Sequence, residues 1–251
     1  MIGAIIGDIV GSRFEFSNLK ETSFDLFTSE CDYTDDTICT IAVADAILNK
    51  KGYQESMLEW CRKYPEPMGG YGGSFAKWIF SDNPKPYNSY GNGSAMRVSP
   101  VGWLFNRDLI ADEARSSAMI THSHPEGVLG AMIVAKCVYL ARSGYPKEEI
   151  SNFVNDFYVY LKMPPPFSNP FDETCLNAVP VAISCFLESN SFEETIRNAI
   201  LVGGDSDTIA AIAGSIAEPF FGIPDWIKES AMTYLPEDMK KIIKQFDNEK
   251  E

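Results

Sequence analysis

Apolar residues recur at helical spacing along most of this 251-residue chain, and no stretch shows the sustained alternation of a half-buried strand. Over 36–50, Ile38, Ile41, Ala42, Ala44 and Leu48 form one broad stripe, and Gly52 follows as a stop. Residues 127–142 repeat the pattern and stop at Gly144, and 147–161, 174–188, 192–202, 207–217 and 225–234 predict further helices. Gly3, Gly7 and Gly11 recur every four residues in an apolar opening helix, baring one face to a close neighbour; Ala210, Ala213, Gly214 and Ala217 do the same late in the chain. Close packing without a chemical role is the expectation for these small residues. The glycine-, proline- and aromatic-rich stretches 64–74 and 80–100 are expected to be irregular, yet their rings call for burial rather than a flexible linker. The charged tail, 236–251, is expected to form a peripheral helix or tail that frays. The pattern predicts one all-α domain over 1–251.

Hydrophobic residues make up 45% and charged residues 22%, enough to bury a core and to exclude disorder as the main state. With 21 basic and 35 acidic residues the net charge is −14, which opposes general binding to nucleic acid or to anionic membranes. An anionic ligand would therefore need helix N-termini, glycine-rich backbone or bound cations. Six scattered cysteines (Cys31, Cys39, Cys61, Cys137, Cys175, Cys185) contain no CxxC pair and read as reduced, mostly buried thiols. Only His122 and His124 are present, which argues against a zinc enzyme. The apolar start lacks a basic flank and is interrupted by Asp8, so neither a signal peptide nor a membrane span is expected, and the cytoplasm is.

Two acidic clusters, Thr34-Asp35-Asp36-Thr37 and Gly204-Asp205-Ser206-Asp207-Thr208, each stand just before an apolar helix. Ordinary N-caps would account for either one. A cap uses one side-chain oxygen, however, and converging carboxylates repel unless a cation lies between them. Together the clusters read as half-sites for a hard cation, Mg²⁺ or Mn²⁺, and four carboxylates suit two ions. Gly69-Gly70-Tyr71-Gly72-Gly73-Ser74 leads into Phe75 and a helix start, and Gly91-Asn92-Gly93-Ser94-Ala95-Met96-Arg97 is similar. Each is either a plain turn with a cap or a run of N–H groups that wraps a phosphate, with Asn92 and Ser94 reaching sugar or phosphate oxygens. His122 either bonds a ligand or caps and packs.

These segments, with Gly3 to Glu15 at the start and Thr121-His122 between the loops, occur in the order seen in the ADP-ribosylglycohydrolases. The chain resembles that family, the dinitrogenase-reductase-activating glycohydrolase and ADP-ribosyl-acceptor hydrolase type, from residue 3 to about 222. The resemblance implies a single compact, orthogonal all-α domain with two Mg²⁺ (or Mn²⁺) in a central cleft. It also implies cleavage of the bond joining ADP-ribose to an acceptor. Thr34, Asp35, Asp36, Asp205, Asp207 and Thr208 match the family's metal positions. Glu15 falls where serine-directed members carry a glutamate near the metals. Gly72, Gly73, Ser74 and Phe75 resemble the diphosphate loop; Gly91, Asn92, Gly93, Ser94 and Met96 resemble the distal ribose and phosphate loop; His122 resembles a ligand-contacting histidine.

The implied partners are ADP-ribose conjugates, ADP-ribosylated protein among them, and a monomer is expected. Glu15 is the expected acid–base residue with Asp35 as the alternative, since breaking the anomeric bond develops oxocarbenium-like charge. Arginine, serine, nucleobase and acetyl-ester linkages all stay open, Glu15 favouring O-linked ones. The rivals are a non-catalytic ADP-ribose binder, which would have lost the metal acids, and a two-metal phosphohydrolase, which would cut the pyrophosphate.

Overall fold

In the computed structural model, which describes residues 1–158 and 162–250, helices and loops make up the chain, and no strand is present among the described residues. The helices are α1 (Ile2–Gly11), α2 (Asp35–Leu48), α3 (Tyr53–Lys63), α4 (Gly73–Ile79), α5 (Gly93–Met96), α6 (Ser99–Leu104) and α7 (Ile110–Met119) in the first half. The second half carries α8 (Pro125–Arg142), α9 (Lys147–Asn155), α10 (Cys175–Glu188), α11 (Phe192–Val202), α12 (Ser206–Phe221), α13 (Asp225–Met232) and α14 (Glu237–Glu249). One contiguous apolar core runs from Met1 to Phe246 and includes all six cysteines, which are buried and unbonded. No described helix is long and apolar enough to cross a membrane.

Every residue of α1 is buried, as is every residue of α12 from Ser206 to Glu218, so these two helices form the centre. They run antiparallel in near backbone contact. A Cβ on Gly3 would lie 2.2 Å from the Gly214 carbonyl oxygen, one on Gly7 would lie 2.1 Å from that of Ala210, and one on Gly11 would lie 2.4 Å from the Asp207 Cα. Three glycines cost about 3 kcal/mol of helix propensity. Burial of Ile2, Ile5, Ile6, Ile9 and Val10, at roughly 2 kcal/mol per side chain, outweighs that.

Asp8 is the one charged residue of α1, and it is wholly buried. A lone buried carboxylate is too costly to persist, and this one accepts four hydrogen bonds. Thr34 donates from N (3.0 Å) and Oγ1 (2.7 Å), and Thr37 from N (3.0 Å) and Oγ1 (2.5 Å). The N-terminus of α2 is thereby fastened to α1.

The sequence pattern leaves several elements unread. Helices α3, α6 and α7 lie outside the predicted set, and α5 sits inside the stretch expected to be irregular. The predicted helix 147–161 ends at Asn155, and its residues 159–161 lie outside the described residues. The helix expected in the charged tail is present as α14, which buries Met239, Ile243 and Phe246 at helical spacing instead of fraying.

The glycine seam yields a stability prediction. Gly7→Ala, a gain in helix propensity on an exposed helix, should here destabilise the protein by roughly 3 kcal/mol, because the added methyl meets backbone that cannot give way. Urea unfolding of the variant beside wild type measures this, and an unchanged midpoint would contradict the seam.

Candidate functional site

Three helix ends meet where α1 stops. The antiparallel pairing sets the C-terminus of α1 beside the N-terminus of α12, while Asp8 holds the N-terminus of α2 alongside. A turn of 3₁₀-helix, Ser12–Phe14, then carries the chain to Glu15. The two acidic clusters are joined directly: Thr208 Oγ1 donates to Asp36 Oδ2 at 3.2 Å across 172 positions of sequence. Both helix N-termini face the junction and place partial positive charge there.

The junction forms the floor of a cavity of about 710 Å³. Asp35, Asp36, Asp205, Asp207, Thr208 and Glu15 all line it. So do Gly72, Gly73, Ser74 and Phe75 at the start of α4, and Gly91, Asn92, Gly93, Met96 and His122 on the opposite segments. Two anticipated residues stand behind the wall. Ser94 is fully buried and its hydroxyl donates to the Gly127 carbonyl at 2.7 Å, so the expectation that it reaches a ligand is corrected. Thr34 is buried too; its hydroxyl donates to Asp8 and accepts from Asp36 N–H, which leaves one lone pair. Asn92 lines the cavity and spends one amide N–H on Asp205 Oδ2 at 2.6 Å, which leaves its second N–H and its Oδ1 for a sugar or phosphate.

The carboxyls are crowded beyond what capping requires. Asp205 is the N-cap of α12 but makes no capping bond with its side chain. One oxygen each from Glu15, Asp205 and Asp207 lie within 4.8 Å of one another, a group that could hold a metal ion. Asp36 Oδ1 and Asp207 Oδ1 are buried with no hydrogen-bond partner among the described residues, which is the mark of oxygens meant for something else. The donor set, carboxylates with hydroxyls nearby, fits a hard cation.

Burial, then the negative charges of Asp205, Asp35, Asp8 and Glu173, raise the Glu15 carboxyl to about 8. Burial, then Asp8 and Asp205, raise Asp35 likewise to about 8. Asp8 rises only to about 6, because its four donors partly offset its burial. Asp36 and Asp207 move well above the usual carboxylate range, through burial first and acidic neighbours second. Arg13 does not relieve Glu15: its guanidinium reaches Thr28, the Asp25 carbonyl and Glu30.

Further residues shape the site, and of these Asn18, Phe16, Tyr90 and Glu173 escaped the sequence reading. Asn18 clamps the Glu15 segment to the second cluster, donating to the Phe14 and Gly204 carbonyls and accepting from Gly204 N–H at 2.8 Å. Gly69 adopts φ +76° and packs on Glu15, so close that a Cβ there would lie 2.5 Å from Oε2. Tyr90, Phe16, Arg97 and Glu173 also line the space. Of the two histidines, His124 takes the capping role, its Nδ1 accepting from Glu126 N–H at the start of α8.

The sequence model of the ADP-ribosylglycohydrolase family matches residues 1–249. Human ADP-ribosylhydrolase ARH3 is 26% identical, the alignment covering 92% of this chain and 86% of that protein. ADP-ribosylarginine hydrolase Tri1 of Pseudomonas putida (strain GB-1) is 24% identical over 92% of this chain and 73% of its own length. A solved structure described as an ADP-ribosylglycohydrolase-related protein complex superposes over the whole chain with a TM-score of 0.78 at 21% identity, which speaks for the fold. With the motifs in order, the acids converged and the match spanning nearly every residue, this chain belongs to the ADP-ribosylglycohydrolase family.

Proposed function

We propose that this protein hydrolyses the glycosidic bond between ADP-ribose and an acceptor, with divalent cations held on its acidic floor. The observation that carries the reading is the junction of the two clusters through Thr208 and Asp36, where two buried carboxylate oxygens have no partner among the described residues, in a cavity large enough for a dinucleotide-sized ligand. Asp35, Asp36, Asp205 and Asp207, with Thr208 and the remaining lone pair of Thr34, would hold two Mg²⁺ or Mn²⁺; Glu15 stands close enough to Asp205 and Asp207 to join them. Bound there, the cations neutralise the carboxylates and orient ribose hydroxyls.

The chain's own groups do the rest. The N–H groups of Gly73, Ser74 and Phe75 open α4 after Gly72, which has no side chain to cap them, and would hold a diphosphate without lysines. Gly91, Gly93 and His122 line the opposite side. Glu15, whose carboxyl is pushed up first by burial, gives its proton to the departing acceptor atom as the anomeric bond breaks. Its carboxylate then takes a proton from the water whose oxygen joins the anomeric carbon, restoring the acid. Water is consumed, and ADP-ribose and the protonated acceptor leave. The cytoplasm and an ADP-ribosylated protein substrate belong to the same reading.

Products decide it. Incubation with arginine- and serine-linked ADP-ribose conjugates, with and without chelator, should release intact ADP-ribose only when divalent cation is present. AMP would indicate a pyrophosphate hydrolase, and binding without product would indicate a reader.

Asp207 separates metal binding from capping. Its carboxylate does not cap α12, so Asp207→Asn should leave the melting temperature nearly unchanged and lower turnover by ~10²-fold or more. A large loss of stability with turnover intact would reverse that assignment.

Glu15→Gln should bind ADP-ribose nearly as wild type does, since the glycine segments contact the diphosphate, while turnover falls by ~10²–10⁴-fold. Calorimetry with single-turnover kinetics measures both, and unchanged turnover would pass the acid–base role to Asp35.

The acidic floor also sets a pH dependence. Carboxyls raised in the folded state stabilise it fully below their unfolded values near 4, and that contribution is lost as pH rises through about 8, where Glu15 and Asp35 titrate. In chelator the melting temperature should therefore decline across that window. Added Mg²⁺ should restore it, more at pH 8 than at pH 6, because cations bind the deprotonated form. Thermal scans at both pH values suffice, and an Mg²⁺ effect independent of pH would contradict the site.

A further inference from the structure

Arg97 is 1% exposed and sits on the cavity wall, yet no carboxylate pairs with it among the described residues. Its Nη2 donates to the Ser117 carbonyl at 3.1 Å and to Thr121 Oγ1 at 3.0 Å, while Nε has no partner. A buried, unpaired guanidinium is costly, and nothing in the proposed reaction uses it directly. Its reach ends on Thr121, whose Oγ1 lies 2.7 Å from His122 Nδ1.

A hydroxyl carries a single proton. The guanidinium occupies a lone pair of Thr121 Oγ1, and the buried hydroxyl meets no other acceptor than Nδ1 among the described residues. If Nδ1 carried a proton, Oγ1 would accept from both sides and leave its own proton orphaned, at a cost of about 1–3 kcal/mol. The hydroxyl therefore donates to a bare Nδ1. The ring proton then resides on Nε2, which makes no protein hydrogen bond among the described residues. That edge of the ring faces the Gly91–Gly93 segment: a Cβ on Gly93 would lie 3.3 Å from Nε2, and one on Gly91 would lie 3.7 Å away.

We infer that Arg97 and Thr121 are positioning residues that fix the proton of His122 on Nε2, aimed into the cavity to donate to an oxygen of the bound ligand. Burial and the Arg97 charge hold the His122 ring well below its usual pKa, so it stays a neutral donor and neither a base nor a cation. That role differs from the acid–base work of the carboxyls across the cavity. The identity of the ligand oxygen as one of ADP-ribose rests on the proposed function; the position of the proton does not.

The chain's two histidines make this directly observable. Long-range ¹H–¹⁵N spectra of the metal-loaded protein, assigned with His124→Gln, should show His122 Nε2 as pyrrole-type and Nδ1 as pyridine-type. Thr121→Val keeps the shape but removes the donor. It should mix the two tautomers and weaken ADP-ribose binding about tenfold, while Thr121→Ser restores both. A proton on Nδ1 in wild type would overturn the inference, as would a tautomer unmoved by Thr121→Val. Should wild type show the expected tautomer but fail to bind ADP-ribose, the ligand reading falls and the proton relay stands.

Discussion

The whole site hangs on α1. Its glycine face admits the backbone of α12 to a distance that no side chain would allow, and its buried Asp8 holds the first turn of α2 by four hydrogen bonds. One ten-residue helix thus fixes the position of both acidic clusters, and its C-terminal end leads through a single tight turn to Glu15. Backbone contacts and a buried charge are stiffer links than methyl packing, since neither adjusts by a rotamer change. A carboxylate set meant for cations needs that stiffness, because mutual repulsion would otherwise splay it apart.

The floor is built against its own stability. Burial and like-charge crowding raise every acidic group in it, and two of their oxygens lack partners among the described residues. The dipoles of α2 and α12 offset part of this, at most about 1 kcal/mol each near a helix terminus, which is small beside the desolvation of a carboxylate. Bound cations, as proposed for this floor, would be the remaining counterweight. On the proposed function, the same logic would reconcile a net charge of −14 with an anionic ligand, which backbone N–H groups, a neutral imidazole and bound cations would hold while no described lysine is buried.

How much of this was legible in sequence follows from the range of the forces involved. The apolar stripe of α2, the small-residue spacing of Gly3, Gly7 and Gly11, and the acids ahead of α2 and α12 are local patterns, and local patterns are visible in one dimension. That the tail forms a helix was legible, but that α14 packs firmly was not, because only Met239, Ile243 and Phe246 mark its buried face amid charges. Ser94 was expected at the ligand because hydroxyls in glycine loops often serve there, yet its nearest acceptor, the Gly127 carbonyl, comes from a different helix. Asp8 passed for an interruption in an apolar run, since its four donors lie 26 and 29 positions away.

The sequence by itself determined that the chain is helical, that its acids come in two clusters at helix starts, and that glycine-rich backbone accompanies them. Periodicity, capping chemistry and steric smallness act over a few residues, and each is written into the neighbours. Tertiary structure alone decided that Thr208 meets Asp36, that Asn92 donates to Asp205, and that Arg97 reaches the ring of His122 through Thr121. Those contacts link helices far apart in the chain, and their partners are chosen by how the helices pack, which no short window of sequence records.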